Sequence, residues 1–145
     1  MASILIDEKE NTVTKYNVDE NEFILNTIVG SLDNILCPKV LSYDKISKKL
    51  ILQKINGMSV SDFYGDDDKD TPIEIYNDIR IIISELLKIG ICYQDITGYN
   101  FIKDKDDKIW VIDFGHAYVL PKDVEMNYFV KKFLDGFNGW NPDFK

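Results

Sequence analysis

Residues 93–117 read YQDITGYNFIKDKDDKIWVIDFGHA. Two short apolar runs, NFIK (100–103) and KIWVID (108–113), flank the polar turn DKDD, the pattern of a β-hairpin closed over a loop of polar residues. Asp95 lies on the segment that feeds the hairpin, Asn100 begins its first strand and Asp113 ends its second. Antiparallel pairing brings the two hairpin ends together, so three oxygen-bearing side chains converge on one rim. Asp and Asn often do no more than cap turns, but turn chemistry alone does not explain all three at this joint spacing.

Upstream of this stretch stands the best-signalled helix of the chain. Thr71 as N-cap, Pro72 at the first helical position and Glu74 three residues after the cap form a capping box. Ile75, Tyr76, Ile79, Ile82, Ile83, Leu86 and Leu87 then follow helical spacing to a stop at Gly90, and so wide an apolar stripe means a core helix. Further upstream, SILI and TVTKY alternate apolar and polar residues around a polar turn and read as a hairpin. A helix starting at Asn17 or Asp19 ends at Gly30. KVLSYD and KLILQK flank KISK in a second hairpin from about Lys39 to Lys54, followed by INGMSVSDFY, which turns at Gly57. Asp66, Asp67, Asp68 and Asp70 form an acidic loop, read as solvated surface because it lacks the ligand spacing of a calcium loop. Downstream, Asp123 to Asp135 reads as a last helix with Gly136 as its stop, and the three aromatics of FNGWNPDFK are expected to pack back onto the domain.

Bulk properties narrow the functional classes. The 145 residues, 45% of them hydrophobic, with four prolines and eight glycines, suit one globular domain. A formal net charge of −8 repels phosphate backbones and anionic headgroups, which argues against nucleic-acid or membrane partners and means that a nucleotide would need a bridging cation. The start MASILIDEKENTV has neither a basic lead nor a long apolar run, and no later segment reaches spanning length, so a soluble protein in the cytoplasm is expected. Cys37 and Cys92 are too few for a disulfide framework or a zinc site, which takes about four ligands, and are expected to be reduced. His116 is the single histidine, which leaves His-based metal sites and nucleophile triads little to draw on. It reads as a packed or solvent-facing neighbour of Gly115 rather than a catalytic group.

Oxygen donors on a rim such as that of Asp95, Asn100 and Asp113 suit Mg²⁺, which takes one or two carboxylates and fills its other positions with water and substrate phosphates. The arrangement resembles the protein-kinase superfamily, whose catalytic loop has Asp, four intervening residues and Asn, followed after a short hairpin by Asp-Phe-Gly. Here the match is Asp95, Asn100 and Asp113-Phe114-Gly115. DITGYN looks most like the atypical small kinases, the RIO group and the KEOPS-associated kinase, with Thr97 two positions after the aspartate and Tyr99 also in keeping.

The resemblance implies an α+β chain with a minimal protein-kinase-like fold, a single domain over 1–145 made of a reduced N-terminal β-lobe (1–55) and a truncated, mostly helical C-terminal lobe (56–145). It implies ATP and Mg²⁺ as cofactors. Asp95 would orient or deprotonate the acceptor hydroxyl, Asn100 would hold a second Mg²⁺ and Asp113 would bridge the phosphates through metal. Thr97, Phe114 and Gly115 belong to the nucleotide-binding set on the same grounds. The backbone near Gln53 and Ile55 would face adenine. Lys15 resembles the strand lysine that holds the α and β phosphates, against the alternative of a plain exposed strand lysine, and Glu22, or else Glu20, resembles its helix partner.

Departures from the family pattern shape the functional expectation. The match is good from about Pro38 to Ala117 and poor on the flanks. The first glycine is Gly30 and only fourteen residues precede Lys15, so a glycine-rich phosphate lid is expected to be absent or incomplete. Tyr93 and Gln94 stand where His-Arg is usual, which removes the arginine that reads a phosphorylated activation loop. Thirty residues follow Gly115, without an Ala-Pro-Glu motif, which leaves no room for a long substrate lobe. The expected function is a serine/threonine-type protein kinase-like phosphotransferase that uses Mg-ATP on a protein hydroxyl, its own included, with an unidentified protein substrate or partner. The alternatives are a pseudokinase or docking module that keeps the fold, and a small-molecule phosphotransferase of the aminoglycoside-kinase kind. Richness in Ile, Asn, Lys, Asp and Tyr fits an AT-rich genome such as that of a large virus or phage, in which case the host cytoplasm is the expected location.

Overall fold

The computed structural model describes residues 4–144 of the chain. Its N-terminal part holds strands β1 (Ile4–Asp7) and β2 (Thr12–Lys15), helix α1 (Glu20–Gly30), and strands β3 (Val40–Asp44) and β4 (Lys49–Gln53). The four strands form one antiparallel sheet in the spatial order β1-β2-β4-β3, with Lys15 opposite Leu50 and Val13 opposite Leu52. The expected first strand begins at Ser3, which lies outside the described residues. Helix α1 starts where its cap dictates: the Asp19 carboxylate accepts the Glu22 backbone N–H at 2.8 Å. Phe23 on its first turn stacks on Tyr43 of β3, ring centres 4.3 Å apart, over a small core of Val18, Leu50 and Leu52. Deeper along α1, buried Asn26 donates to the Pro38 carbonyl at 3.1 Å, tying helix to strand entry.

The remainder packs on helix α3 (Ile73–Lys88). Before it come β5 (Gly57–Ser59) and α2 (Val60–Tyr64), and after it β6 (Ile91–Cys92), β7 (Phe101–Asp104), β8 (Ile109–Val111), β9 (Tyr118–Val119) and α4 (Tyr128–Leu134). Ile75, Tyr76, Ile79, Ile82, Ile83 and Leu86 form the buried stripe of α3, and Gly90, at φ 82°, closes the helix with its N–H on the Leu87 carbonyl. The hairpin of β7 and β8 gains β5 as a third strand, and β6 pairs with β9. Both cysteines are buried and unpaired by disulfide, and burial pushes the Cys37 thiol up to about 12.

Three expectations are corrected. The capping box at Thr71 does not form: Pro72 occupies the cap position, Thr71 is extended, and α3 starts at Ile73 without a side-chain cap bond. Proline has no N–H to give, so a start at Pro72 needs less capping than an ordinary helix end. Residues 56–64 do more than turn, since Gly57–Ser59 adds to β7 and Ser59 caps α2 through the Asp62 N–H at 3.0 Å. The last helix begins at Tyr128, not Asp123. Asp123 has a φ of 66° and Val124 is exposed, and the side chain of Asn127 supplies the cap by accepting from Phe129 and Val130. The tail aromatics pack inward as expected, with Trp140 buried 4.8 Å from Tyr76 and Phe137 against Phe129. Among the described residues no helix is long and apolar enough to cross a membrane.

Gly57 is where β5 meets β7 most closely, since a Cβ there would stand 2.3 Å from the Lys103 carbonyl oxygen and 2.8 Å from the Asp104 Cα. Gly57→Ala is expected to destabilise the fold by about 1–3 kcal/mol through this overpacking, read as a lower urea midpoint at unchanged slope.

Candidate functional site

Alternation along β2 points Lys15 and Val13 to the same face, and burial leaves Lys15 only 6% exposed. An ammonium so placed needs carboxylates. It has two: Glu22, from the first turns of α1, in a short charge-assisted hydrogen bond, and Asp113 at 3.5 Å. Glu22 is as buried as Lys15, and that burial raises its carboxyl above the ordinary value against the opposing pull of the lysine. The partner of Lys15 is thus Glu22. Glu20 instead faces Lys45 at the surface.

Asn100 and Asp113 come to the same end of the β7–β8 hairpin, since the Ile112 N–H bonds the Asn100 carbonyl at 2.9 Å. Asn100 stands just before β7 and Asp113 two residues beyond β8. Asp113 adopts a φ of 65°, a costly conformation for a side-chain-bearing residue, offset by its carboxylate accepting the Gly115 N–H at 3.0 Å. Phe114 is fully buried, its ring 5.5 Å from that of Tyr93, so it anchors the turn from the core rather than lining the cleft.

Asp95 is buried at 8% exposure. The Asn100 side-chain N–H₂ donates to its backbone carbonyl at 2.9 Å, while His116 Nδ1 lies 3.2 Å from its carboxylate. The His116 side chain is 59% exposed, as a solvent-facing neighbour would be. Its contact with Asp95 is what the sequence did not signal, because the two residues are brought together only by the turn after Asp113. Burial raises the Asp95 carboxyl above its ordinary value, with the charge of Asp113 acting in the same sense and the His116 and Asn100 hydrogen bonds opposing. The loop on both sides of Asp95 is braced by the buried tail residue Asn141, whose backbone N–H bonds the Ile96 carbonyl and whose side chain bonds the Gln94 carbonyl, each at 2.8 Å.

A cavity of about 290 Å³ opens between the two parts of the fold. Its walls are largely apolar, with Val13, Leu52, Ile55, Ile102 and Ile112, and its polar groups are Lys15, Gln53, Asn100 and Asp113. A cavity with apolar walls and a few convergent polar groups is the usual form of a small-molecule site. A roomier surface hollow beside Gly30, about 430 Å³, holds none of the candidate residues. Thr97 does not line the 290 Å³ cavity; it borders a separate hollow on the other side of Tyr99. Among the described residues no three His, Cys, Asp or Glu side chains gather to hold a metal. A cation here would take few protein oxygens, with water and phosphate filling the rest, which is the habit of Mg²⁺.

No protein-family model matches the chain. It is 30% identical over 100 residues to the EKC/KEOPS complex subunit BUD32 of Encephalitozoon cuniculi, a match that covers 61% of this chain and 49% of that protein. It is 32% identical over 81 residues to a probable bifunctional tRNA threonylcarbamoyladenosine biosynthesis protein of Methanocaldococcus jannaschii, covering 56% of this chain and 14% of the relative. Among solved structures it superposes on a 2.2 Å crystal structure of WbdD with a TM-score of 0.63 at 18% identity, covering 83% of this chain and 31% of that one. A second structure, of the bifunctional kinase-methyltransferase WbdD, superposes with a TM-score of 0.60, also at 18% identity, over 77% of this chain and 29% of that one. The fold is protein-kinase-like. The chain thus spans about half the length of the first curated relative and about a seventh of the second.

Two outcomes follow from the buried charges. Lys15→Met leaves Glu22 without its cation and is expected to cost about 3–5 kcal/mol, much of it recovered in Lys15→Met/Glu22→Gln, as a double-mutant cycle would show. For Asp95, a raised folded-state pKa means that the folded chain holds the proton more tightly than the unfolded chain. Its contribution favours folding in acid and is lost as pH rises through the folded value. Asp95→Asn is therefore expected to raise Tm at pH 7, with the gain vanishing below about pH 4, the ordinary carboxylate range. A fall in Tm at pH 7 would show ionised Asp95 to be a net stabiliser.

Proposed function

We propose that the chain is a Mg-ATP-dependent phosphotransferase that acts on a protein hydroxyl, its own included. The observation that carries this reading is the buried Lys15–Glu22 pair held 3.5 Å from Asp113, at a cavity that Lys15, Asn100 and Asp113 share. A lysine buried this deeply and aimed into a cleft is a costly arrangement for structure alone, whereas it is what a polyphosphate requires.

In this reading the adenine lies between the apolar walls, near the backbone of Gln53 and Ile55. Lys15 binds the α and β phosphates, and Glu22 keeps the ammonium from swinging away. Asn100, whose amide nitrogen is engaged by the Asp95 carbonyl and whose oxygen is left to accept, and Asp113 would hold Mg²⁺. When bound, the ion neutralises charge that builds on the phosphate oxygens during transfer. Asp95 orients the acceptor hydroxyl and takes its proton as the new P–O bond forms at the acceptor and the bond between the γ phosphorus and the β–γ bridging oxygen breaks, releasing ADP. A carboxyl raised by burial is a better proton acceptor than an ordinary one. Rate comes mostly from this positioning, since phosphoryl transfer asks little covalent chemistry of the protein.

One observation favours a second reading, a pseudokinase or docking module. The turn between β1 and β2 is Glu8-Lys9-Glu10-Asn11, with no glycine to let backbone N–H groups approach a phosphate and two acids to repel one. Two measurements decide between them. Mg-ATP at about 100 times its Kd is expected to stabilise the chain by about 2.7 kcal/mol, seen as a rise in Tm that Asp113→Ala abolishes. With γ-labelled ATP, label is expected on protein and lost in Asp95→Asn. A thermal shift without any transfer would leave the docking module, and neither shift nor transfer would sink the nucleotide site itself.

A further inference from the structure

Tyr99 borders a second hollow besides the nucleotide cavity. It measures about 230 Å³ and is lined by Ser61, Asp66, Thr97, Tyr99, Trp140 and Phe144. It is smaller than the 290 Å³ cavity beside Lys15 and suits a single side chain. Its position is fixed by the catalytic loop: the Ser61 N–H bonds the Gly98 carbonyl at 2.9 Å, holding α2 against the loop. The hollow also lies close to Asp95. Thr97 follows Asp95 by two residues, and the Phe144 ring lies 4.9 Å from that of His116, whose Nδ1 is 3.2 Å from the Asp95 carboxylate.

The chemistry of the lining selects the charge of an occupant. Three of the six side chains are aromatic, and ring faces attract a cation within about 6 Å. Asp66 is exposed, and its carboxylate accepts the Tyr99 hydroxyl. Among the described residues no lysine, arginine or histidine pairs with it. Tyr99 senses the surrounding negative charge: its hydroxyl is raised above the ordinary value by the bond to Asp66, then by burial and by the charges of Asp66 and Asp62. The net charge of −8 sets the same sign at longer range.

We propose that this hollow is an acceptor-recognition pocket, which takes the arginine or lysine side chain of a basic protein segment lying within a residue or two of the hydroxyl to be phosphorylated. An extended segment advances about 3.3–3.6 Å per residue, so a hydroxyl at Asp95 and a cationic neighbour in the pocket fit one short peptide. The proposal rests on the phosphotransferase reading for its acceptor role, but the pocket can be tested without catalysis.

The test uses the full chain and two short serine-containing peptides that differ only by arginine or glutamine beside the serine, with a glutamate version as the charge-reversed control. Binding is measured by calorimetry, and transfer is measured separately with γ-labelled ATP. The arginine peptide is expected to bind about tenfold more tightly than the glutamine one and to lose that advantage in high salt. Asp66→Asn, which keeps an acceptor for Tyr99, and Phe144→Leu are each expected to erase the difference, with thermal melts confirming that both variants fold. Equal binding of the arginine and glutamine peptides, preference for glutamate, or an arginine preference that survives both variants overturns the pocket. Asp66-dependent arginine selectivity with no transfer of label upholds the pocket and discards the transferase, whereas transfer without arginine preference does the reverse.

Discussion

One buried ammonium organises this molecule. Lys15 belongs to the second strand of the sheet-rich part, Glu22 to the helix that follows it, and Asp113 to the turn after a hairpin nearly a hundred residues further on. Removing a lysine from water is expensive unless carboxylates meet it, so this contact holds only when all three elements are docked. The cavity between the two parts of the fold is thereby given both a fixed width and a cationic group. Its apolar walls come from the sheet on one side and from the hairpin on the other, and the same ion contacts that position the walls also set the charge at the polar end.

The site concentrates features that a chain optimised for stability alone would avoid. Asp95 is a carboxylate buried with a raised pKa, and Glu22 is buried deeply enough that its proton affinity rises despite a lysine in contact. Buried charges of this kind persist only where the surrounding structure holds them. Here the holding is done by close hydrogen bonds within the loop, by Phe114 packed in the core beneath it, and by contacts from the tail.

What could be read from sequence was what local pattern controls. The β7–β8 hairpin, the stripe of α3, its glycine stop and the joint placement of Asn100 and Asp113 follow from alternation, helical spacing and turn chemistry, whereas the pairing of Lys15 with Glu22 was implied only by the family resemblance. What escaped were contacts between distant segments. Neither β5 nor the β6–β9 pair has enough residues to show a period. The His116 contact to Asp95 and the Asn141 contacts to Gln94 and Ile96 span 21 to 47 residues. Thr71 misled for a different reason: a threonine followed by proline and glutamate matches a cap pattern, but proline itself took the cap position.

Asn141 carries one more implication. The carbonyls on either side of Asp95 each accept a hydrogen bond from Asn141, which is wholly buried. Gly139, Trp140 and Asn141 are all buried, so these two contacts depend on the packing of the whole tail, with Trp140 beside Tyr76 of the long helix. The shape of the loop around Asp95 is thereby tied to a segment 47 residues beyond Gln94, so a core substitution under the tail would be felt at the cleft without touching any group that lines it.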